Sequence, residues 1–362
     1  MYPDWPKSAA DLVPLPRCDG PKLEPFDFRG SQKIEFLEYV GEGLHAHVFK
    51  VRIQEKIYAL KLFRFVYDDD WRRPASDHDD VQIMTSFANY SEPFNCECRA
   101  YGRLRERGYE DLAIKSFGYI LLDEDHERTM MNQFKDLDLC FNGNIEFCGY
   151  EPLRSRFPGK DGRDPPIRGI VKEFGQNDEK LTTRLAKSLL EDIVGLQQLG
   201  IFYVDVALRQ VINGKLADFS TALTLPHYTT NPELNPNLDS YQKSNMAFET
   251  FQLCSSDYWS FDEMVHEWNR ENKDKIRVYA FPGGLGCQTK YNTRSKSRRE
   301  FYTHVDPRLP RKRVLKRRKV DRWNIRCSDR SAKSLRDTIY FRTANEWDFK
   351  DGYIFPKRRS WV

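Results

Sequence analysis

The chain has 362 residues, 40% hydrophobic and 14% aromatic, with a formal net charge of +4, enough for a two-lobed domain or two small ones with a true core. No apolar run reaches the roughly 18 residues of a membrane span, and the start (MYPDWPKSAADLVPLP) lacks the basic and apolar regions of a secretory signal. Eight scattered cysteines, of which only Cys96 and Cys98 are close, predict buried free thiols and neither a zinc site nor a disulfide framework.

Residues 1–30 are proline-rich and aperiodic and read as an extended leader on the surface. Lys33 to Phe65 alternates apolar and polar residues between glycines, as a strand meander does. Inside it, YVGEGLHAHVFKV places Gly41, Gly43 and Val48 on a G-x-G-x-x-G-x-V pattern, with Ala46 in the third glycine's place. Such a turn lets the backbone approach phosphate. One hairpin later comes Tyr58-Ala59-Leu60-Lys61. A lysine in so apolar a run needs a carboxylate or phosphate partner.

Tyr67 to Ser91 is acidic and polar and includes an insert. Phe94 to Leu104 reads as a helix started by Ser91 and Pro93, with Glu97 on its apolar face as the candidate partner of Lys61. Ile114–Leu122 and Ile167–Phe174 read as two more strands, separated by a second insert or long loop from Asp123 to Pro166. Leu181 to Leu199 has its leucines at helical spacing and is expected to be buried.

That helix leads into a loop carrying Asp205, then two short strands, then Asp218 in Asp-Phe-Ser, 13 residues on. Protein kinases use this layout: the first aspartate accepts the substrate's hydroxyl proton and the second holds Mg²⁺. The segment Glu173 to Gly175 then takes the place of the hinge whose backbone meets adenine. Tyr228 to Asn237 is loop-like, and Ser256 to Asn269 is compatible with a buried helix, where Asp257-Tyr-Trp-Ser-Phe resembles the start of the central helix of a kinase C-lobe. Phe281-Pro-Gly-Gly-Leu-Gly is a turn, because no P-loop lysine follows.

The charge is uneven. From Thr289 to Val362 there are 23 Lys and Arg against eight Asp and Glu, a net of +15 on a body of net −11. Eight of the twelve residues from Arg308 to Lys319 are basic, which points to a nuclear-import signal or a nucleic-acid contact.

In KLEPFDFRGSQKIEFLEYVGEGLHAHVFKV, YALKLFRF, ADFSTA, SFDEMVHEWN, AFPGG and DGYIFP the chain resembles a fungal family of kinase-like proteins classed with a kinetochore-complex subunit, over roughly residues 17–356. The resemblance implies an α+β, two-lobed, protein-kinase-like fold. Its parts would be a leader (1–30), an antiparallel N-lobe with one helix and inserts (31–175), a reduced, mainly helical C-lobe (176–288) and a basic extension (289–362). It also implies ATP and Mg²⁺. Gly41, Gly43, Val48, Lys61, Glu173 and Gly175 would then hold the nucleotide, and Glu97 would fix Lys61. Asp205 would be the base, Arg209 would neutralise phosphate, and Asp218 with Gln210 would bind the metal. Three departures oppose turnover: Tyr203-Val204-Asp205 stands for His-Arg-Asp, Gln210 for asparagine and Ser220 for the DFG glycine, and no A-P-E triplet follows. Two readings result: an atypical ATP-dependent phosphotransferase, or an inactive kinase-fold scaffold with protein partners in a nuclear assembly. A plain DNA-binding protein is disfavoured, since helix-turn-helix, zinc and RRM signatures are missing.

Overall fold

The computed structural model describes residues 2–26, 33–66, 81–143, 153–156, 158–177, 180–231, 234, 240–280, 347–350 and 353–356. They fall into two units, Met1–Gln176 with Ala217–Leu223, and Asn177–Leu216 with Thr224–Val362.

In the first unit the expected meander forms as β1 (Glu35–Glu42), β2 (Ala46–Ile53) and β3 (Lys56–Phe63). With β4 (Ser116–Leu121) and β5 (Arg168–Glu173) it makes an antiparallel sheet in the order β1-β2-β3-β5-β4, and the architecture is α+β. Two-residue alternation sends Phe49, Val51, Leu60, Leu62 and Val171 to one face, where they pack with Ile120, Met130 and Phe141. The other face carries Lys61, Phe63, Arg168 and Lys172.

Helix α2 (Pro93–Arg107) lies on that second face, and its Phe94 ring sits 5.4 Å from Phe63. The helix starts at Pro93, as expected, but with a different cap. Glu92, not Ser91, is its N-cap and accepts from Asn95 N–H at 3.2 Å. The same carboxylate pairs with the buried Arg168 at 2.8 Å, a charge partner that serine cannot offer. Gly108 ends the helix at φ +70, where a side chain is strained. The expected inserts hold structure too: α1 (Val81–Ser91) in the first, α3 (Glu124–Gln133), capped by Asp123, and short α4 (Leu153–Arg156) in the second.

The leader, most of whose described residues are exposed or half-buried as expected, is nevertheless anchored. Leu15 and Leu23 are buried and bridge each other, and Pro25 pairs with Tyr119 of β4. Tyr119 N–H donates to the Glu24 carbonyl, and Phe26 N–H donates to the Tyr119 carbonyl.

In the second unit α5 (Thr183–Gln198) buries Ala186, Leu189, Ile193 and Leu196, and the Thr182 hydroxyl accepts from Leu185 N–H at its start. After β6 (Ile201–Phe202), the hairpin β7 (Val211–Ile212) and β8 (Lys215–Leu216) turns at Asn213-Gly214. Both turn residues have positive φ, as a two-residue hairpin connection requires. Helix α6 (Ser240–Glu271) begins 16 residues before the expected Ser256. A terminal hairpin pairs Trp347–Lys350 with Tyr353–Pro356.

Among the described residues no helix is long and apolar enough to cross a membrane. Cys18, Cys96, Cys98 and Cys254 are free thiols, as expected, whereas Cys140 is disulfide-bonded. The turn from Phe281 and the basic run Arg308–Lys319 lie outside the described residues.

Candidate functional site

Lys61 and Glu97 meet. Lys61 stands opposite Ile170 of β5 and Val48 of β2, on the face that α2 covers. Its Nζ lies 2.8 Å from Glu97 Oε2 and 2.6 Å from Asp218 Oδ1. Glu97 is fully buried and Lys61 nearly so. The pairing expected from two charged residues in apolar segments is therefore present, and Asp218 joins it.

A fourth member was not legible. Lys172, on β5, turns inward on the same face, pairs with the second oxygen of Glu97 and donates to the Ala217 carbonyl at 2.8 Å. Two ammonium groups and two carboxylates thus form one cluster of net charge zero. Burial alone would lower the Lys61 pKa, but Asp218 and Glu97 outweigh it and raise it. For Lys172 burial wins: Glu97 opposes it, the adjacent Lys61 charge adds to it, and the pKa falls.

Burial by itself would raise the Asp218 carboxyl. Lys61, Lys172 and the Ser220 N–H, which donates at 2.9 Å, instead hold it well below the ordinary carboxylate range. Its contribution to stability is then complete above the unfolded value of 3.8 and fades as pH falls toward the lower folded value. Accordingly, Asp218→Asn should fall furthest below wild type near neutral pH, and the two denaturation midpoints should converge in acid, below about pH 4. A constant gap from pH 7 to pH 2 would mean that Asp218 is not ionised in this cluster.

The glycine turn is also closed on itself. Gly41 takes φ +152 beside a bulge in β1, a conformation that favours glycine. Gly43 N–H donates to the Ala46 carbonyl at 2.9 Å. Next to it, His45 Nδ1 lies 3.2 Å from the Ser220 hydroxyl, and both residues are buried. Glu173 N–H donates to the Lys115 carbonyl, while Gly175, just past β5, is half-buried.

Asp205, Arg209 and Gln210 belong to the second unit and make their own cluster. Arg209 Nη2 meets both Asp205 oxygens, at 2.6 and 2.7 Å, and Gln210 Nε2 donates to Asp205 Oδ2 at 2.9 Å. Gln210 thus offers Asp205 a donor, where metal binding would use its oxygen. Behind this loop, Asp257 of α6 is fully buried and accepts from Tyr203 N–H (3.0 Å), Val204 N–H (2.6 Å) and Gln197 Nε2 (2.9 Å). Val204, a β-branched residue, is held at φ +74.

Fold and site together define an α+β protein whose most developed polar feature is a buried, self-neutral ion cluster on one face of a five-stranded antiparallel sheet. Residues 12–223 match the model of the kinetochore Sim4 complex subunit FTA2 family, more than half of the chain. The chain belongs to that family. A comparison with curated proteins found no match.

Proposed function

We propose that this protein is a non-catalytic subunit of a kinetochore assembly in the nucleus, a scaffold for protein partners on a kinase-like body. The observation that carries this is the internal balance of the Lys61–Glu97–Lys172–Asp218 cluster. Kinase-type sites hold Mg²⁺ with one or two carboxylates and the substrate's own phosphates; here each carboxylate of the cluster is matched by an ammonium group. Asp218 Oδ1 already accepts from Lys61 and Ser220, and Gly43 N–H is committed to its own turn. As arranged, these groups answer one another within the protein, which supports a structural role for the cluster. The family's name places its members in a kinetochore complex, which supports the nucleus and protein partners.

Thermal denaturation with ATP and Mg²⁺ tests the proposal. A ligand bound only to the folded state at a hundred times its Kd adds about 2.7 kcal/mol and raises the melting temperature by several degrees. No shift is expected. A clear Mg²⁺-dependent rise, lost in Asp218→Asn, would overturn the proposal in favour of the second reading, an atypical phosphotransferase. Two observations favour that reading: the 2.8 Å Lys61–Glu97 pair, and the grip of Asp257 on the backbone just before Asp205. In it Lys61 would hold phosphate, Asp218 and Gln210 the metal, and Asp205 the acceptor hydroxyl's proton.

The basic run completes the proposal as a contact for nucleic acid that is indifferent to sequence. Each phosphate neutralised adds about −0.9 to the slope of log affinity against log salt. Replacing Arg317, Arg318 and Lys319 with alanine should therefore flatten that slope for duplex DNA by roughly two to three units. An unchanged slope would reduce the run to a solvated surface.

A further inference from the structure

We infer that residues 13–26 are an intramolecular brace that sets the position of α2, and through it holds Glu97 between Lys61 and Lys172. The inference stands apart from the choice between scaffold and enzyme. It rests on where the leader's backbone lies. A Cβ added at Gly102, in the middle of α2, would meet the main chain of Lys22 at 2.5–2.6 Å. A Cβ at Gly118 of β4, where φ is +134, would meet the backbone of Phe26 at 2.6 Å and the Glu24 carbonyl at 2.8 Å. Two glycines on separate elements thus leave room for one strap of main chain, at distances no side chain permits.

The strap is also bonded where it lies. Arg99 of α2, fully buried, donates to the Asp19 carbonyl at 3.0 Å and to Cys18 Sγ at 3.1 Å. Tyr119 of β4 donates its hydroxyl to the Val13 carbonyl at 2.6 Å. The strap therefore bridges the sheet edge at β4 and the outer side of α2, while Glu97 faces the sheet. The segment matched by the family model begins at residue 12, so the strap lies inside the family's domain.

Gly102→Leu in the full-length chain tests the brace, because the added side chain cannot coexist with the backbone of Lys22. Hydrogen exchange should speed up in residues 13–26 and in α2, while β2 and β3 keep their protection. Gly108→Ala is the control: it strains the C-cap of the same helix but meets nothing within 4 Å, so it should leave residues 13–26 protected. The decisive readout is coupling. Glu97→Gln should lower the urea midpoint of the otherwise native chain clearly, and by a much smaller shift in the Gly102→Leu background, since unbraced α2 no longer holds residue 97 between the lysines. Equal shifts in both backgrounds, or protected residues 13–26 in Gly102→Leu, would overturn the brace. If Gly102→Leu does not fold, Leu23→Ser, which loosens the strap from its own side, replaces it with the same expected and overturning results.

Discussion

Glu97→Leu should destabilise the protein by about 3–5 kcal/mol, the range for removing one partner of a buried ion pair. The substitution leaves Lys61 and Lys172 facing each other in the interior, with Asp218 as the remaining carboxylate of the cluster. Whole domains have about 5–15 kcal/mol of stability, so the variant should stand close to unfolding. Lys172→Met should cost less, because Glu97 keeps Lys61 at 2.8 Å. The double variant, Glu97→Leu with Lys172→Met, should recover much of the loss, since it removes one charge of each sign and retains the Lys61–Asp218 pair. Urea denaturation of the four proteins gives the cycle. If the double variant were as unstable as the sum of the singles, the cluster would not act as one unit.

What could be read in the sequence followed its local contrast. Lys61 stands out because it interrupts an apolar run and Glu97 because it falls on the apolar face of a helix, and the structure brings them together. The five sheet strands were visible through alternation and their glycines. Lys172 was hidden because a lysine one residue from a strand's end ordinarily faces water. The usable signal was its two-residue step from Arg168, which puts both cations on the α2 face. The anchoring of the leader is hidden for a different reason: its attachment to β4 uses backbone groups, and its apolar contacts come from isolated residues such as Tyr2, Leu15, Leu23 and Phe26, without a periodic pattern. The first half of α6 (SYQKSNMAFETF) is too polar to show an apolar stripe, so its start was placed late. A hydroxyl such as that of Ser91 commonly fills the cap, whereas Glu92 also answers Arg168, 76 residues away in sequence. Long-range charge matching of that kind leaves no local trace.

Asp257→Ala should produce the second large loss, again about 3–5 kcal/mol, confined at first to one loop. Asp257 accepts from two buried donors and one part-buried donor at once, and alanine leaves Tyr203 N–H, Gln197 Nε2 and Val204 N–H without it. A buried donor stripped of its partner costs about 1–3 kcal/mol. Val204 adds to this, because a β-branched residue at φ +74 persists only where its surroundings over-determine it. Without Asp257 the backbone from Tyr203 to Asp205 can relax to an ordinary φ, and Asp205 then leaves its bonds to Arg209 and Gln210. Asp257→Asn should fall between the two, since one amide oxygen can still accept from a backbone N–H while the NH₂ group faces a second donor. Amide exchange should therefore rise first at residues 201–206 and in the adjoining turn of α5, with the order alanine, asparagine, wild type, while the first unit's sheet keeps its protection. Exchange that rose evenly through the chain, or asparagine as damaging as alanine, would show that Asp257 supports the packing of α6 generally and is not what holds the Asp205 loop in place.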